Sequence, residues 1–195
     1  MLSISQSKMN KLLSKMKIDN LDFNFELIEL IFEDINETNE HGENILHYFV
    51  TDTVYNEYQC FLAVKTLLYK GINPNFSDAY NYNFIQTAID TGYSEDFIYA
   101  CIKESLKYGL DVNHKEEDGD TIIHTALLAD DYHDGISKLL SILTENGYNP
   151  NIKNNDKKTI EDLVFESKKY NNKEKRRMIS QIDTILSKPV SLIKY

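Results

Sequence analysis

Two histidines, His47 and His124, are the side chains of this sequence whose chemistry best fits general acid–base catalysis. Histidine titrates near neutral pH and can therefore take up or release a proton during a reaction. Both residues, however, end a recurring tetrapeptide whose other copies end in Gln86 and Asp162. All three residue types can form hydrogen bonds with backbone groups. A position that accepts His, Gln and Asp is therefore poor evidence for a catalytic base.

A dense group of carboxylates at residues 116–120 could bind a divalent cation. Calcium loops place acids at alternating positions around a central glycine and end on a bidentate glutamate, and this group lacks that register. We therefore expect solvated acids in a turn and no metal site. The sequence also contains no phosphate-binding glycine loop, no G-x-S-x-G motif and no Cys/His pair at a recognisable spacing. The sequence therefore predicts a protein without catalytic activity or cofactor. A metal-dependent enzyme is the second alternative to this non-catalytic function.

The chain is acidic, which argues against the broadly basic surface of a nucleic-acid-binding protein. Its 195 residues include 31 acidic and 21 basic side chains, and the formal net charge is -10. Along the chain, the net charge is +3 over residues 1–20, -18 over 21–152 and +5 over 153–195. Nucleic acids are held by concentrated Lys and Arg, so we expect no nucleic-acid partner.

Cysteine usage and hydropathy predict a cytoplasmic protein. Cys60 and Cys101 lie 41 residues apart in apolar helical patterns, without the spacing of a zinc site or a disulfide scaffold. The N-terminus has no signal-peptide core, and no window reaches the roughly 18 apolar residues of a membrane span. We therefore expect a reducing environment and no membrane contact.

The elements that would position these side chains recur every 38 residues. The segment G-I-N-P-N-F at 71–76 returns as G-L-D-V-N-H at 109–114 and as G-Y-N-P-N-I at 147–152. A second marker keeps the same phase, with N-I-L-H at 44–47, N-F-I-Q at 83–86, T-I-I-H at 121–124 and T-I-E-D at 159–162. The units carry apolar stripes at helical spacing, and Gly109 would end a second helix. The pattern predicts a tandem array of helix pairs joined by polar turns.

These motifs resemble the ankyrin repeat. E-E-D-G-D-T-I-I-H-T-A at 116–126 carries the Gly, Thr, aliphatic residue, His and Ala of the family's D-x-x-G-x-T-P-L-H-x-A pattern. The family's Pro is replaced by Ile or Phe, Asn81 and Lys157 stand where Gly is usual, and the period exceeds the family's ~33 residues. The resemblance implies an all-α, ankyrin-repeat helical solenoid. It also implies a structural role for His47 and His124, which would tie a hairpin backbone to the start of a helix.

The resemblance divides the chain into three units and two caps. We place the units at residues 39–77, 78–115 and 116–153. Residues 1–38 are predicted to form a divergent N-terminal helical cap. Residues 154–195 are predicted to form a partial fourth repeat and a C-terminal capping helix, whose basic side chains provide a solvated outer surface.

Repeat arrays bind partners on the concave face formed by their turns and first helices. In this sequence that face would be acidic and would contain tyrosines. The candidate partner-binding residues are Glu40, Glu43, Asp52, Tyr80, Tyr82, Asp90, Glu117, Asp118 and Asp120. Tyrosine is a common interface anchor, and negative charge favours a basic partner. We expect a non-catalytic monomer that binds a basic protein; an immunity-type or regulatory inhibitor of a basic enzyme or toxin is the alternative.

Overall fold

The computed structural model describes residues 35–51, 56–129 and 135–187, and regular structure in these ranges is helical. The helices there are α1 Ile45–Thr51, α2 Glu57–Tyr69, α3 Phe84–Asp90, α4 Glu95–Ser105, α5 Ile122–Leu128, α6 Ile136–Glu145, α7 Ile160–Glu166 and α8 Asn172–Leu186. The prediction of an all-α protein is confirmed. Most of the predicted N-terminal cap and one candidate binding residue, Asp52, lie outside the described residues.

The helices form two layers. The first helices of the pairs, α1, α3, α5 and α7, each contact the next along the chain, and so do the second helices, α2, α4, α6 and α8. The two helices of every pair also contact each other. One continuous apolar core runs through the layers and includes Phe49, Phe84, Ile98, Ile123 and Leu143. Each pair therefore buries its apolar face against its neighbours as well as within itself.

Reciprocal capping sets the start of the first helices. Before α3, the side chain of Asn83 accepts a hydrogen bond from the backbone N–H of Gln86, and the Gln86 side chain accepts one from the backbone N–H of Asn83. Thr159 and Asp162 exchange the same two bonds before α7. Such a capping box satisfies two N–H groups that the helix leaves unpaired. The first helices therefore begin at a defined residue although none of them has proline at its first position.

A ladder of asparagines links the ends of successive second helices. The side-chain oxygen of Asn75 accepts the N–H of Asp111 at 2.6 Å, and its amide nitrogen donates to the carbonyl of Gly109 at 2.8 Å. Asn113 makes the same two bonds one unit later, and Asn36 makes the first of them one unit earlier. The asparagine that closes the G-x-N/D-x-N motif thus joins one helix pair to the next.

The four turns that precede the first helices, at residues 39–43, 78–82, 116–120 and 154–158, each contain one residue in the left-handed conformation. These residues are Gly42, Asn81, Gly119 and Lys157, with φ between 64° and 79°. At Gly119 an added Cβ would lie 2.8 Å from the side-chain oxygen of Asn155 and 3.0 Å from its backbone nitrogen. Lys157 already carries a Cβ in this conformation, which costs a non-glycine residue about 1–2 kcal/mol.

Replacing Lys157 by glycine is expected to increase the free energy of unfolding by about 0.5–1 kcal/mol, because relief of the backbone strain exceeds the added flexibility of the unfolded chain. Gly119→Ala should lower it by about 2 kcal/mol, since it adds the same strain and a close contact with Asn155. Urea denaturation measures both changes. Lys153→Gly, at a neighbouring residue without positive φ, serves as control and should not stabilise the protein. A shift of the same sign in Lys157→Gly and Gly119→Ala would contradict this explanation.

Candidate functional site

Backbone hydrogen bonds connect the turns into one row. Three of these bonds run from the N–H of one turn to the carbonyl of the preceding turn: Ala79 to His41 at 2.8 Å, Glu117 to Tyr80 at 3.0 Å and Asn155 to Asp118 at 2.8 Å. Because each turn is tied to the next, the main chain of the row is held in place. Side chains at its outer edge are therefore presented on an ordered support.

Two of the acids that were predicted to be solvated are buried and accept hydrogen bonds within the protein instead. Glu116 is 4% exposed, and its carboxylate accepts the N–H groups of Asp118 at 2.9 Å and Asp120 at 2.7 Å. Asp120 is 9% exposed and accepts a hydrogen bond from the side-chain amide of Asn154 at 2.8 Å. Burial raises the pKa of Asp120. The prediction of solvated acids is wrong for these two residues, because the packed turn buries both carboxylates, Glu116 against backbone N–H groups and Asp120 against the Asn154 amide.

Tyr80 stands at the tip of the second turn and is 64% exposed. Its backbone N–H donates to the carboxylate of Asp78 at 2.9 Å, and its carbonyl accepts the N–H of Glu117. The side chains of Glu117 and Asp118 are exposed on the adjacent turn. The structure therefore places Tyr80 on the turn next to the one that carries the exposed Glu117 and Asp118.

Tyr82, two residues further on, lies differently. It is half-buried, and its hydroxyl donates a hydrogen bond to the carboxylate of Asp90 at the end of α3. Burial raises the pKa of Tyr82, and the negative charges of Asp90, Glu116 and Asp118 raise it further. Burial also raises the pKa of Asp90, against the effect of the hydrogen bond from Tyr82. Tyr82 is thus partly covered by the fold, whereas the Tyr80 ring is exposed.

The first turn contributes one exposed acid. The Glu40 side chain is 83% exposed, whereas Glu43 is half-buried and accepts the side-chain amide of Asn39 at 2.7 Å. Five of the nine candidate residues are thus exposed on the row of turns or at the end of α3. We call them the tip face: Glu40, Tyr80, Asp90, Glu117 and Asp118.

The fourth turn reverses the charge of the row. Its residues 154–158 read N-N-D-K-K, and Lys158 forms an ion pair with Glu166 at the end of α7. Lys157 is exposed beside it. The acidic surface therefore belongs to the first three turns and ends before α7.

The structural role predicted for the histidines is confirmed for His47. Nε2 of His47 donates to the carbonyl of Tyr82 at 2.9 Å, and the side-chain nitrogen of Gln86 donates to the carbonyl of Asp120 at 3.0 Å one unit later. Burial lowers the pKa of His47 and lowers that of His124 to about 4. The His47 ring connects its helix start to the next turn. The His124 ring contacts Thr121 at its own helix start through Nδ1, and its Nε2 has no hydrogen-bond partner among the described residues.

Neither metal binding nor membrane insertion finds support in the part of the chain that the structure describes. Its His, Cys, Asp and Glu side chains form no group of three or more that could hold a metal ion. None of its helices combines the length and the apolar character needed to cross a bilayer. No known protein family matches this chain, and no curated protein is significantly similar to it.

Proposed function

We propose that the chain is an ankyrin-type repeat solenoid whose tip face binds a basic protein without catalysing a reaction. Three contacts that recur about every 38 residues support the solenoid: the reciprocal helix caps, the left-handed turn residue and the asparagine ladder. The two helix layers support it as well, because a solenoid stacks each unit on its immediate neighbours.

The exposure of Tyr80 on an ordered row of turns carries the binding proposal. A tyrosine that is 64% exposed contributes little to the core. Its main chain is nevertheless held by hydrogen bonds to Asp78 and Glu117. A ring with few rotatable bonds on a fixed backbone loses little entropy when a partner covers it. Tyr80 is thus suited to be an anchor at the centre of an interface.

The charge around Tyr80 indicates the kind of partner. Glu40, Asp90, Glu117 and Asp118 form no ion pair with Lys or Arg within residues 35–51, 56–129 and 135–187. Their charge is therefore available to cations of another molecule. Complementary charge speeds the encounter of two proteins and disfavours partners of the same sign. A protein with a Lys- or Arg-rich surface fits this face best.

Tyr80→Ala is expected to weaken partner binding about 10- to 100-fold, the effect of losing an interface anchor, without changing the melting temperature. The double variant Glu117→Lys and Asp118→Lys should weaken binding as well and reduce its salt dependence. The partner would be identified by affinity purification on the immobilised protein from a lysate of the source organism. Its purified form would then be titrated from about 0.05 to 1 M salt.

Tyr58→Ala is the matched control, because Tyr58 is 62% exposed and lies on α2, away from the tip face. It should leave partner binding unchanged. A partner with an acidic surface, or one that binds equally well at about 1 M salt, where charges are screened beyond about 3 Å, would contradict the proposal.

A further inference from the structure

The outer side of α2 carries an apolar stripe. Tyr58, Leu62, Lys65 and Tyr69 are separated by four, three and four residues, a spacing that places them on one face of the helix. Tyr58 is 62% exposed and Tyr69 75%, while Leu62 is half-exposed and Lys65 exposed. These four residues are called the α2 stripe. Large exposed apolar side chains grouped in this way mark interaction sites.

Equivalent positions on the other second helices show that the stacking of pairs does not require this stripe. Thirty-eight residues later, the equivalent positions are Asp96, Ala100 and Lys103 on α4 and Lys107 in the 3₁₀ turn Leu106–Tyr108 that follows it. Asp96 forms an ion pair with Lys138, and Lys107 pairs with Glu104. The surface of α4 is thus an ordinary charged one. The stacking of helix pairs therefore does not explain the tyrosines of α2.

The spacing of the α2 stripe is the same in both directions along the helix, although Leu62 and Lys65 exchange places. Positions 58 and 69, and positions 62 and 65, are symmetric about the middle of α2. When two α2 helices pack antiparallel about a two-fold axis, Tyr58 meets Tyr69 of the partner subunit. Leu62 then meets the aliphatic stem of the partner's Lys65, whose ammonium group reaches past it to water. A two-fold interface requires a patch that is complementary to itself in this sense.

We propose that the α2 stripe is a homodimer interface formed by two antiparallel α2 helices. Buried area limits the strength of such a dimer. A fully buried tyrosine contributes about 150–250 Å², so the exposed parts of Tyr58 and Tyr69 offer roughly 200–300 Å² per protomer. Leu62, the stem of Lys65 and the flanking Phe61 bring the total from both copies to about 1,000 Å², the lower limit of specific interfaces. The dimer is therefore weak, with a dissociation constant of about 10 μM or higher.

Dimerisation through the α2 stripe and partner binding at the tip face should depend on salt in opposite directions. Each protomer has a net charge of -10, whereas the α2 stripe contains no acid and one lysine. Two copies therefore repel each other through their overall charge while the contact itself is mainly apolar. Screening this repulsion strengthens dimerisation. The proposed partner of the tip face, in contrast, would be released by salt.

Sedimentation velocity of the full chain tests the proposal. We expect the 22.7 kDa monomer to convert to a dimer of twice that mass as the concentration rises from about 1 to 500 μM, and to do so more readily at higher salt. Replacing Tyr58→Asp and Tyr69→Asp together places like charges opposite each other in the antiparallel contact, where they repel. This double variant should raise the dissociation constant more than about 10-fold. Its circular dichroism and melting temperature should match the parent, because both tyrosines are exposed.

Tyr80→Ala, at a comparably exposed tyrosine of the tip face, is the control and should leave the dissociation constant unchanged. Mixed cross-linking tests the orientation: Tyr58→Cys protein should form a disulfide with Tyr69→Cys protein faster than either forms one with itself. Faster self-cross-linking of the Tyr58→Cys protein would overturn the antiparallel arrangement. A protein that stays monomeric at about 500 μM, or a folded double variant that still dimerises like the parent, would overturn the proposal.

Discussion

Ala126→Glu is expected to unfold at least the α5–α6 pair and to lower the free energy of unfolding by about 4 kcal/mol or more. Ala126 has no exposed surface and lies on α5, which contacts α3 on one side and α7 on the other. A glutamate there adds volume to a packed core and an ionised group with no partner. Because each pair is stacked on its neighbours, loss of α5 also removes the surface on which α7 packs.

Leu128→Glu provides the matched comparison on the same helix. Leu128 is 50% exposed, only two residues from Ala126. Its replacement should change the free energy of unfolding by no more than about 0.5 kcal/mol, as surface substitutions usually do. Urea denaturation followed by far-UV circular dichroism measures both variants. If Ala126→Glu melts like the parent, the position assigned to Ala126 in the repeat is incorrect.

Features that depend on contacts close in sequence, or on the repeat itself, could be predicted. Gly109 follows the second helix pair and has a left-handed backbone conformation, with φ of 81°. Glycine adopts this conformation without steric cost. The histidine role was also predictable, since His47 and Gln86 occupy equivalent positions and make equivalent bonds. In both cases the residue type and its place in the repeat are sufficient to predict the local structure.

Features that depend on how neighbouring turns pack could not be predicted in the same way. Four of the five residues 116–120 are acidic, and composition alone does not distinguish the buried acceptor Glu116 from the exposed Asp118. The distinction arises because Glu116 faces the N–H groups of its own turn, which the next turn covers. Likewise, residue type does not distinguish the half-buried Tyr82 from the exposed Tyr80. The α2 stripe did have a sequence signal, namely the contrast between Tyr58 and Tyr69 and their charged equivalents one unit later.

Acidification from pH 7 to 4.5 is expected to destabilise the protein, with about 2–3 kcal/mol of the loss arising at His124. Burial lowers the pKa of His124 to about 4, whereas an unfolded histidine titrates near 6.5. Between these values the unfolded chain binds a proton that the folded protein excludes. The contribution is therefore complete above pH 6.5 and is lost as the pH falls toward 4. His47, whose pKa burial also lowers, acts in the same direction.

His124→Gln separates this contribution from the carboxylates, because Gln86 shows that glutamine can fill the equivalent position in the helix cap. At pH 7 the variant should lie within about 1 kcal/mol of the parent, and at pH 4.5 it should have lost about 2–3 kcal/mol less. The raised pKa values of Asp90 and Asp120 oppose the loss, since the folded protein binds those protons more readily. They are common to both proteins and cancel in the comparison. Urea denaturation at several pH values gives the two curves, and parallel curves would show that the His124 ring takes up its proton without unfolding.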